Sequence, residues 1–150
     1  MVTTGWALFE DNKLIKNGTF KTKSTLPIEK RLGQIWQYIS DLYKEYKFNK
    51  IAFEDIQNQN NNETYRKLAY CQAVIYLWCD YNEIEYSVLG PSHWRKILGG
   101  GFGSKREEQK QKAMQYVNEK CGVDVTSDEA DAICIGLAAL KEQKQAGSAF

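Results

Sequence analysis

A stretch near the end of the chain places charge where a helix should bury its apolar side. At helical spacing Asp128 and Asp131 share one face, and that face continues into Cys134 and Ile135. Two carboxylates at the head of an apolar stripe repel each other and are costly unless a cation lies between them. The pattern therefore predicts a core-facing helix that begins at a site for a hard divalent metal ion.

The same stretch has a second interpretation. Thr126 and Glu129 have the spacing of a capping box, with Thr126 as the N-cap, and the helix dipole favours acidic residues in a first turn. Capping accounts for Asp128 and Glu129 better than it accounts for Asp131. On these residues alone, both the metal site and the capped helix remain open.

Composition indicates an ordinary soluble globular protein of one domain, since 43% of its 150 residues are hydrophobic and 26% are charged. No apolar run has membrane-spanning length, and the chain begins without a signal-like segment. We therefore expect a protein of the cytosol, bacterial or phage-infected. The four cysteines lack metal-ligand spacing and have only His93 as a possible companion, so we expect them to be reduced and mostly buried.

The distribution of charge is more informative than the net charge of +1. Six basic residues lie between positions 95 and 112, opposed there by only Glu107 and Glu108. Such a cluster is either a solvated face or a surface that contacts phosphate groups. The six are Arg95, Lys96, Lys105, Arg106, Lys110 and Lys112.

The order of strand-like and helix-like segments predicts an α/β sheet domain. A buried strand ends in the acidic pair Glu54 and Asp55, and strand ends of this kind are where open α/β sheets place their ligands. We expect a hairpin over 3–22 with its turn at 11–13, helices over 27–46, 63–81, 91–98 and 104–120, strands over 50–56 and 83–89, a polar loop over 57–62, and the final helix.

The helix expected over 63–81 is apolar on two faces and must be covered twice. A partner subunit and a second helix of the same domain are both able to provide the second cover. One face carries Tyr70, Val74, Leu77 and Tyr81, and the other carries Cys71, Ile75 and Trp78.

Five segments, taken in order, resemble the RuvC-type Holliday-junction resolvases, especially phage versions. They are Thr4-Gly5-Trp6-Ala7, Phe53-Glu54-Asp55, Pro91-Ser92-x-Trp94-Arg95-Lys96, the basic helix 105–117, and Asp128-x-x-Asp131-Ala132. The resemblance implies an RNase H-like mixed sheet flanked by helices. It also implies a magnesium-dependent endonuclease that hydrolyses one phosphodiester in each of two symmetric strands of a branched DNA.

The resemblance also assigns roles to individual residues. Glu54, Asp128 and Asp131 match carboxylates that bind Mg²⁺ or Mn²⁺, two ions in the complete family site, and Lys110 matches a basic residue near the scissile phosphate. Gln57 falls where cellular members carry a stacking aromatic, so hydrogen bonding to DNA is expected there instead. The helix 63–81 matches the helix through which the family forms homodimers. The expected DNA-binding residues are Lys105, Arg106, Lys110, Lys112, Gln57 and Arg95.

The chain departs from the family at its N-terminus, where a central strand ending in a catalytic aspartate would precede Thr4. Asp11 cannot replace that aspartate, because it lies in the hairpin turn. Three explanations are open: a start assigned too late or a trimmed chain, which we favour; a truncated inactive relative; or a rearranged sheet in which the strand of Glu54 pairs with the hairpin.

The missing strand leads to two expectations. The sheet should have two unpaired inner edges, and without the bridging aspartate at most one ion should bind well. We therefore expect an endonuclease that binds junction DNA and cleaves it poorly, with a catalytically silent DNA-junction binding protein as the alternative.

Overall fold

A computed structural model describes residues 2–57 and 60–148, and its alternating strands and helices confirm the α/β class. Asn58 and Gln59, in the loop expected over 57–62, lie outside the described residues. No helix in the described ranges is long and apolar enough to cross a bilayer. The elements are β1 (Val2–Glu10), β2 (Lys13–Thr22), α1 (Ile28–Tyr46), β3 (Lys50–Glu54), α2 (Asn62–Asn82), β4 (Glu85–Leu89), α3 (Pro91–Ile97), α4 (Arg106–Cys121) and α5 (Ser127–Ser148).

The chain forms two compact units. The first unit contains residues 21–90 together with Val2, and the second contains residues 3–20 and 91–148. β3, β4, α1 and α2 therefore belong to the first unit. Most of the hairpin and the helices α3, α4 and α5 belong to the second.

The four described strands form two separate two-stranded sheets, β1 with β2 and β3 with β4. β3 and β4 are parallel, with Glu54 opposite Leu89. Among the described strands, each therefore has a single neighbour. The two unpaired inner edges stay a prediction. The alternative in which the strand of Glu54 pairs with the hairpin is wrong, because β3 takes its hydrogen bonds from β4.

In the first unit α1 and α2 pack together around Trp78, which is fully buried. The ring centroid of Trp78 lies 5.4 Å from that of Tyr43 and 5.7 Å from that of Phe48, and its Nε1 donates to Ser40 Oγ at 2.9 Å. A buried indole N–H needs such an acceptor. This tryptophan therefore fixes both the spacing and the rotation of the two helices.

The strand expected from Glu83 begins later, at Glu85. Glu83 is the C-cap of α2, with a left-handed φ of 55°, and the N–H of Ile84 donates to the carbonyl of Cys79 at 2.9 Å. These bonds satisfy carbonyls at the helix end. Because the cap uses Glu83 and Ile84, these two residues of the expected strand belong to the turn that ends α2.

In the second unit the hairpin packs tightly along α5. A Cβ on Gly5 would overlap the carbonyl oxygen of Asp128, and a Cβ on Gly136 would overlap the ring of Phe9. The hairpin turn is formed by Asp11 and Asn12, with φ of 52° and 65°. A two-residue turn needs positive φ at both positions to match the right-handed twist of the flanking strands. The fully buried residues on α4 and α5 are Ala113, Val117, Ala130, Ile133, Cys134 and Ala138.

Gly5→Ala should destabilise the protein by about 2 kcal/mol, because the added methyl group meets backbone atoms that cannot rotate away. Urea unfolding followed by tryptophan fluorescence measures the change. Gly33→Ala is the matched control, since a Cβ at this exposed α1 position meets nothing within 4 Å, and it should be neutral or stabilising by about 0.5–1 kcal/mol. Equal stability of the two variants would contradict the close approach of β1 to α5.

Candidate metal and phosphate site

The capping box predicted at the start of α5 is confirmed. The N–H of Glu129 donates to Thr126 Oγ1 at 3.3 Å, and Glu129 Oε1 accepts from Thr126 Oγ1 at 3.0 Å and from the Thr126 N–H at 3.4 Å. Thr126 and Glu129 thus carry the capping role. The helix dipole also accounts for Asp128, an exposed acidic residue of the first turn. Neither the cap nor the dipole accounts for Asp131, which is half-buried one turn further on.

The hairpin fixes the position of this first turn. Asn17 Nδ2 donates to Glu129 Oε2 across 112 positions of sequence, while Gly5 lies against the Asp128 carbonyl. Sequence reasoning missed the role of Asn17. The available signal was an asparagine inside a strand, where this residue type is disfavoured unless its side chain has a partner.

A buried thiol shows how Asp131 lies relative to the core. Burial raises the pKa of Cys134 to about 12, with further raising by the negative charge of Asp131 and by Cys121, and with a lowering contribution from Arg95. Asp131 and Arg95 therefore both act on a sulfur that lies one turn beyond Asp131. This arrangement agrees with the prediction that Asp131 heads the core-facing stripe.

Glu54 is the last residue of β3 and is exposed, as expected for an acid at a strand end. Its neighbour Asp55 has a different role, because Asp55 Oδ1 accepts from Gln72 Nε2 and from the Ile56 N–H, both at 2.9 Å. The role of Glu54 as a metal ligand stays a prediction. Gln72 was not singled out from the sequence.

The convergence of the three carboxylates stays a prediction. Glu54 belongs to the first unit, and Asp128 and Asp131 belong to the second. Within residues 2–57 and 60–148, no group of three or more His, Cys, Asp or Glu residues is placed to hold a metal ion. What the second unit provides is one exposed and one half-buried carboxylate, one turn apart, with oxygen ligands of the kind that Mg²⁺ and Mn²⁺ prefer.

The basic residues of α4 are placed at its start and along its side. Lys105 is the N-cap and Arg106 is the first helical residue, and both are exposed. Cations at a helix N-terminus are unfavourable for the helix dipole, so these two do not serve helix stability. Lys110 is half-buried, one turn before the buried Ala113 on the side that packs against α5, whereas Lys112 is exposed.

The two other expected DNA contacts lie on different elements. Gln57 follows β3 and is exposed. Arg95 is a half-buried residue of α3, and its guanidinium carbon lies 4.8 Å from the centroid of the Trp94 ring. Stacking on a buried ring holds the guanidinium plane in one orientation. For both residues, contact with DNA stays a prediction.

Comparison with known proteins places the chain among nucleases. A family model described as crossover junction endodeoxyribonuclease RuvC matches residues 3–139. The protein of that name from Brachyspira hyodysenteriae is 30% identical over 127 residues, which cover 84% of this chain and 77% of the relative. Its counterpart from Rickettsia prowazekii is 28% identical over 144 residues, which cover 93% of this chain and 91% of the relative.

Solved structures show the same fold. Thermus thermophilus RuvC in complex with a Holliday junction substrate superposes with a TM-score of 0.73 at 17% identity, over 89% of this chain and 80% of that one. A second Thermus thermophilus RuvC structure gives a TM-score of 0.72 at 19% identity. The fold is therefore RNase H-like. With the family model spanning most of its length, the chain belongs to the RuvC family of crossover junction endodeoxyribonucleases.

Alkaline pH should destabilise the protein partly through Cys134. The pKa of the Cys134 thiol is about 12 in the folded state and near 8.5 in the unfolded state. The neutral thiol therefore contributes fully to the free energy of unfolding below about pH 8.5, and this contribution is lost as the pH rises towards 12. Between pH 7 and pH 10 the loss in unfolding free energy should be about 2 kcal/mol smaller in Cys134→Ala than in the parent protein.

Urea unfolding at the two pH values measures this difference. Ile135→Val, a core deletion on the same helix without a titrating group, is the control and should cost the same at pH 7 and pH 10. Equal pH dependence in Cys134→Ala and the parent protein would show that the thiol is not shielded as the structure indicates.

Proposed function

We propose that this chain is a metal-dependent endonuclease that resolves four-way DNA junctions in the bacterial or phage-infected cytosol. The observation that carries the proposal is the half-buried carboxylate of Asp131, one turn beyond Asp128 on α5, which neither the capping box nor the helix dipole explains. Family membership supports the reaction class. The Thermus relative that shares the fold is described in complex with a Holliday junction.

The proposed metal ligands are Glu54, Asp128 and Asp131. Their oxygens suit Mg²⁺ or Mn²⁺, and the complete family site holds two ions. A divalent ion bound there supplies Lewis acidity to the scissile phosphate. The half-burial of Asp131 and the hydrogen bonds that fix the first turn hold the second unit's two ligands in place, which limits the reorganisation needed when an ion binds.

The proposed reaction is hydrolysis of a phosphodiester. The oxygen of a water attacks phosphorus and one bridging P–O bond breaks, which leaves one phosphomonoester end and one hydroxyl end. Lys110 is the proposed group for stabilising the charge that develops on the phosphate, because it is half-buried at helical spacing from the buried Ala113 and Val117.

The remaining basic residues are proposed to position the DNA. Lys105, Arg106 and Lys112 are exposed on α4, and exposed cations bind backbone phosphates without reading sequence. Arg95 contributes from α3. Gln57, exposed beside the end of β3, is proposed to donate or accept hydrogen bonds near the junction branch point.

A homodimer formed through α2 is also proposed. On the face of α2 that carries Trp78, that residue is buried and Cys71 and Ile75 are half-buried. On the other face Leu77 is 63% and Tyr81 is 78% exposed, and Tyr70 is exposed as well. A run of large apolar side chains left in solvent marks an interaction surface. A second copy is the proposed occupant, because two symmetric strands of a junction require two sites.

Asp131→Asn should lower Mg²⁺-dependent cleavage of a synthetic four-way junction by about a hundredfold or more, since the change removes one anionic metal ligand. Binding of the same junction in EDTA should change little. Gel electrophoresis of end-labelled strands measures cleavage, and fluorescence anisotropy measures binding.

Asp124→Asn is the matched control, because it removes an exposed carboxylate just before α5 whose partner is Asn118. Its cleavage rate should stay near that of the parent chain. A parent chain that binds the junction but shows no metal-dependent cleavage would instead be the catalytically silent junction-binding protein. Equal rates in Asp131→Asn and the parent would remove Asp131 from the site.

Leu77→Lys should shift the protein from dimer to monomer, because a charge would be buried at the proposed interface. Sedimentation analysis across a concentration series measures the shift. Ile15→Lys on β2 is the control, since Ile15 is a similarly exposed residue of the hairpin, at 53%. A parent chain that is already monomeric, or dimers in both variants, would contradict the assignment to α2.

A further inference from the structure

Asp55, the residue that follows β3, is held from three sides within the first unit. Its backbone N–H donates to the carbonyl of Leu89 at 2.9 Å, which extends the pairing of β3 with β4 by one residue. Its carboxylate oxygen Oδ1 accepts from Gln72 Nε2 on α2 and from the N–H of Ile56, both at 2.9 Å. The direction in which the chain leaves the sheet is therefore set by β4 and α2 together.

A second contact between α2 and β3 lies one helical turn from the first. The ring centroids of Phe53 and Tyr76 are 5.3 Å apart and the rings are at 80° to each other, in an edge-to-face arrangement. Two positions of extended chain, from Phe53 to Asp55, rise about 7 Å, and one helical turn, from Gln72 to Tyr76, rises about 6 Å. The spacing on the helix thus fits the spacing on the strand, and rotation of α2 about its axis would break both contacts.

The charge of Asp55 lies close to α2. Burial raises the pKa of the Tyr76 phenol, with further raising by the negative charge of Asp55 and by Tyr86. Successive side chains of a strand point to opposite faces, so Glu54 points away from the face that carries Asp55. The bond to Gln72 therefore holds one face of the strand end towards α2 and turns Glu54 to the other.

Glu54 and Gln57 are the two residues of this segment to which the proposed function gives a role, and both are exposed. An exposed side chain at a strand end is placed only as accurately as the backbone that carries it. Asp55 directly follows Glu54 and precedes Gln57 by two residues. A restraint on Asp55 is thus a restraint on the placement of both neighbours.

We propose that Asp55 and Gln72 are positioning residues for cleavage of the junction. Their hydrogen bond fixes the chain at the end of β3, so that Glu54 is presented to the metal and Gln57 to the DNA. This inference rests on the proposed function and deepens it, because it assigns a role to two side chains that act only through their neighbours.

Gln72→Ala should lower the rate of Mg²⁺-dependent junction cleavage about fivefold, since the loss of one hydrogen bond leaves Glu54 less well placed. Junction affinity in EDTA should stay within about twofold of that of the parent chain, because the bond orients the site and does not hold the DNA. Asp55→Ala should lose a similar factor in rate. The double variant should lose no more than either single variant, since both changes remove the same bond.

Gln37→Ala is the matched control. Gln37 Nε2 donates to Asp41 Oδ1 at 2.9 Å on the exposed side of α1, so this change removes a bond between the same two residue types away from the strand end. Its cleavage rate should equal that of the parent chain. A loss equal to that of Gln72→Ala would reveal an effect of stability alone and would overturn the positioning role.

Asp55→Asn separates positioning from metal binding. The amide oxygen of asparagine accepts hydrogen bonds from Gln72 and Ile56 as the carboxylate does, so the cleavage rate should stay within about twofold of the parent rate. A loss as large as that of Asp131→Asn would make Asp55 a metal ligand and would overturn the proposal. Losses that add in Asp55→Ala/Gln72→Ala would overturn it as well.

Hydrogen exchange tests the restraint without metal or DNA. The Ile56 amide should exchange about fivefold faster in Gln72→Ala than in the parent chain, because its acceptor on Asp55 is no longer held by α2. The Ile56 amide of Gln37→Ala should exchange at the parent rate. Equal exchange in Gln72→Ala and the parent chain would contradict the restraint.

The failure of this inference can be told from that of the proposed function. A parent chain without metal-dependent cleavage would end both. A parent chain that cleaves the junction, with Gln72→Ala and Asp55→Ala at the parent rate, would end the positioning role alone.

Discussion

The close contact between β1 and α5 is the constraint on which the second unit depends. Gly5 lies against the Asp128 carbonyl, and Phe9 lies over Gly136. From Gly5 to Phe9 the strand rises about 13 Å, and from Asp128 to Gly136 the helix rises about 12 Å. The two contacts therefore match in spacing along both elements. A side chain at either glycine would push them apart. The carboxylate pair is carried on the same turn of α5 that β1 touches, so the hairpin sets where the proposed metal ligands lie.

The start of α5 separates two roles that acidic residues can play at a helix N-terminus. Glu129 closes the capping box and also accepts from Asn17 of the hairpin. Its carboxylate is thus fully engaged in holding the helix. Asp128 and Asp131 flank it at positions that the cap does not use. The helix dipole stabilises their negative charge but opposes a cation nearby, so an ion here depends on several carboxylates acting together. Glu54 is the proposed third carboxylate.

Local patterns predicted the elements well, and they failed where distant residues decide the outcome. The spacing of apolar residues predicted α1, and the helix begins at Pro27, its N-cap, as expected. Gly122 was expected to end α4, and it is the C-cap of that helix. The late start of β4 depended on a left-handed cap at Glu83, a residue type that seldom adopts that conformation. Two hydrogen bonds join residues that no local pattern connects: Asn17 donates to Glu129, and the buried Arg31 donates to Thr22. The buried Nε of Arg95, which has no hydrogen-bond partner among the described residues, was equally hidden from local patterns. The spacing of Asp128 and Asp131 could be predicted from the sequence, whereas these long-range contacts required the fold.

The helix α3 and the carboxylate pair are linked through the contact between α3 and α5. The two helices pack together, Lys141 Nζ donates to the carbonyl of Ile97 at 3.0 Å, and His93 Nε2 lies 3.5 Å from Glu142 Oε2. The charges of Asp131 and Arg95 act in opposite directions on the pKa of the Cys134 thiol. The contact between α3 and α5 therefore holds Arg95, a proposed DNA-binding residue, in a fixed relation to Asp131, a proposed metal ligand. Such preorganisation would lower the entropy cost of aligning a DNA strand with the proposed site.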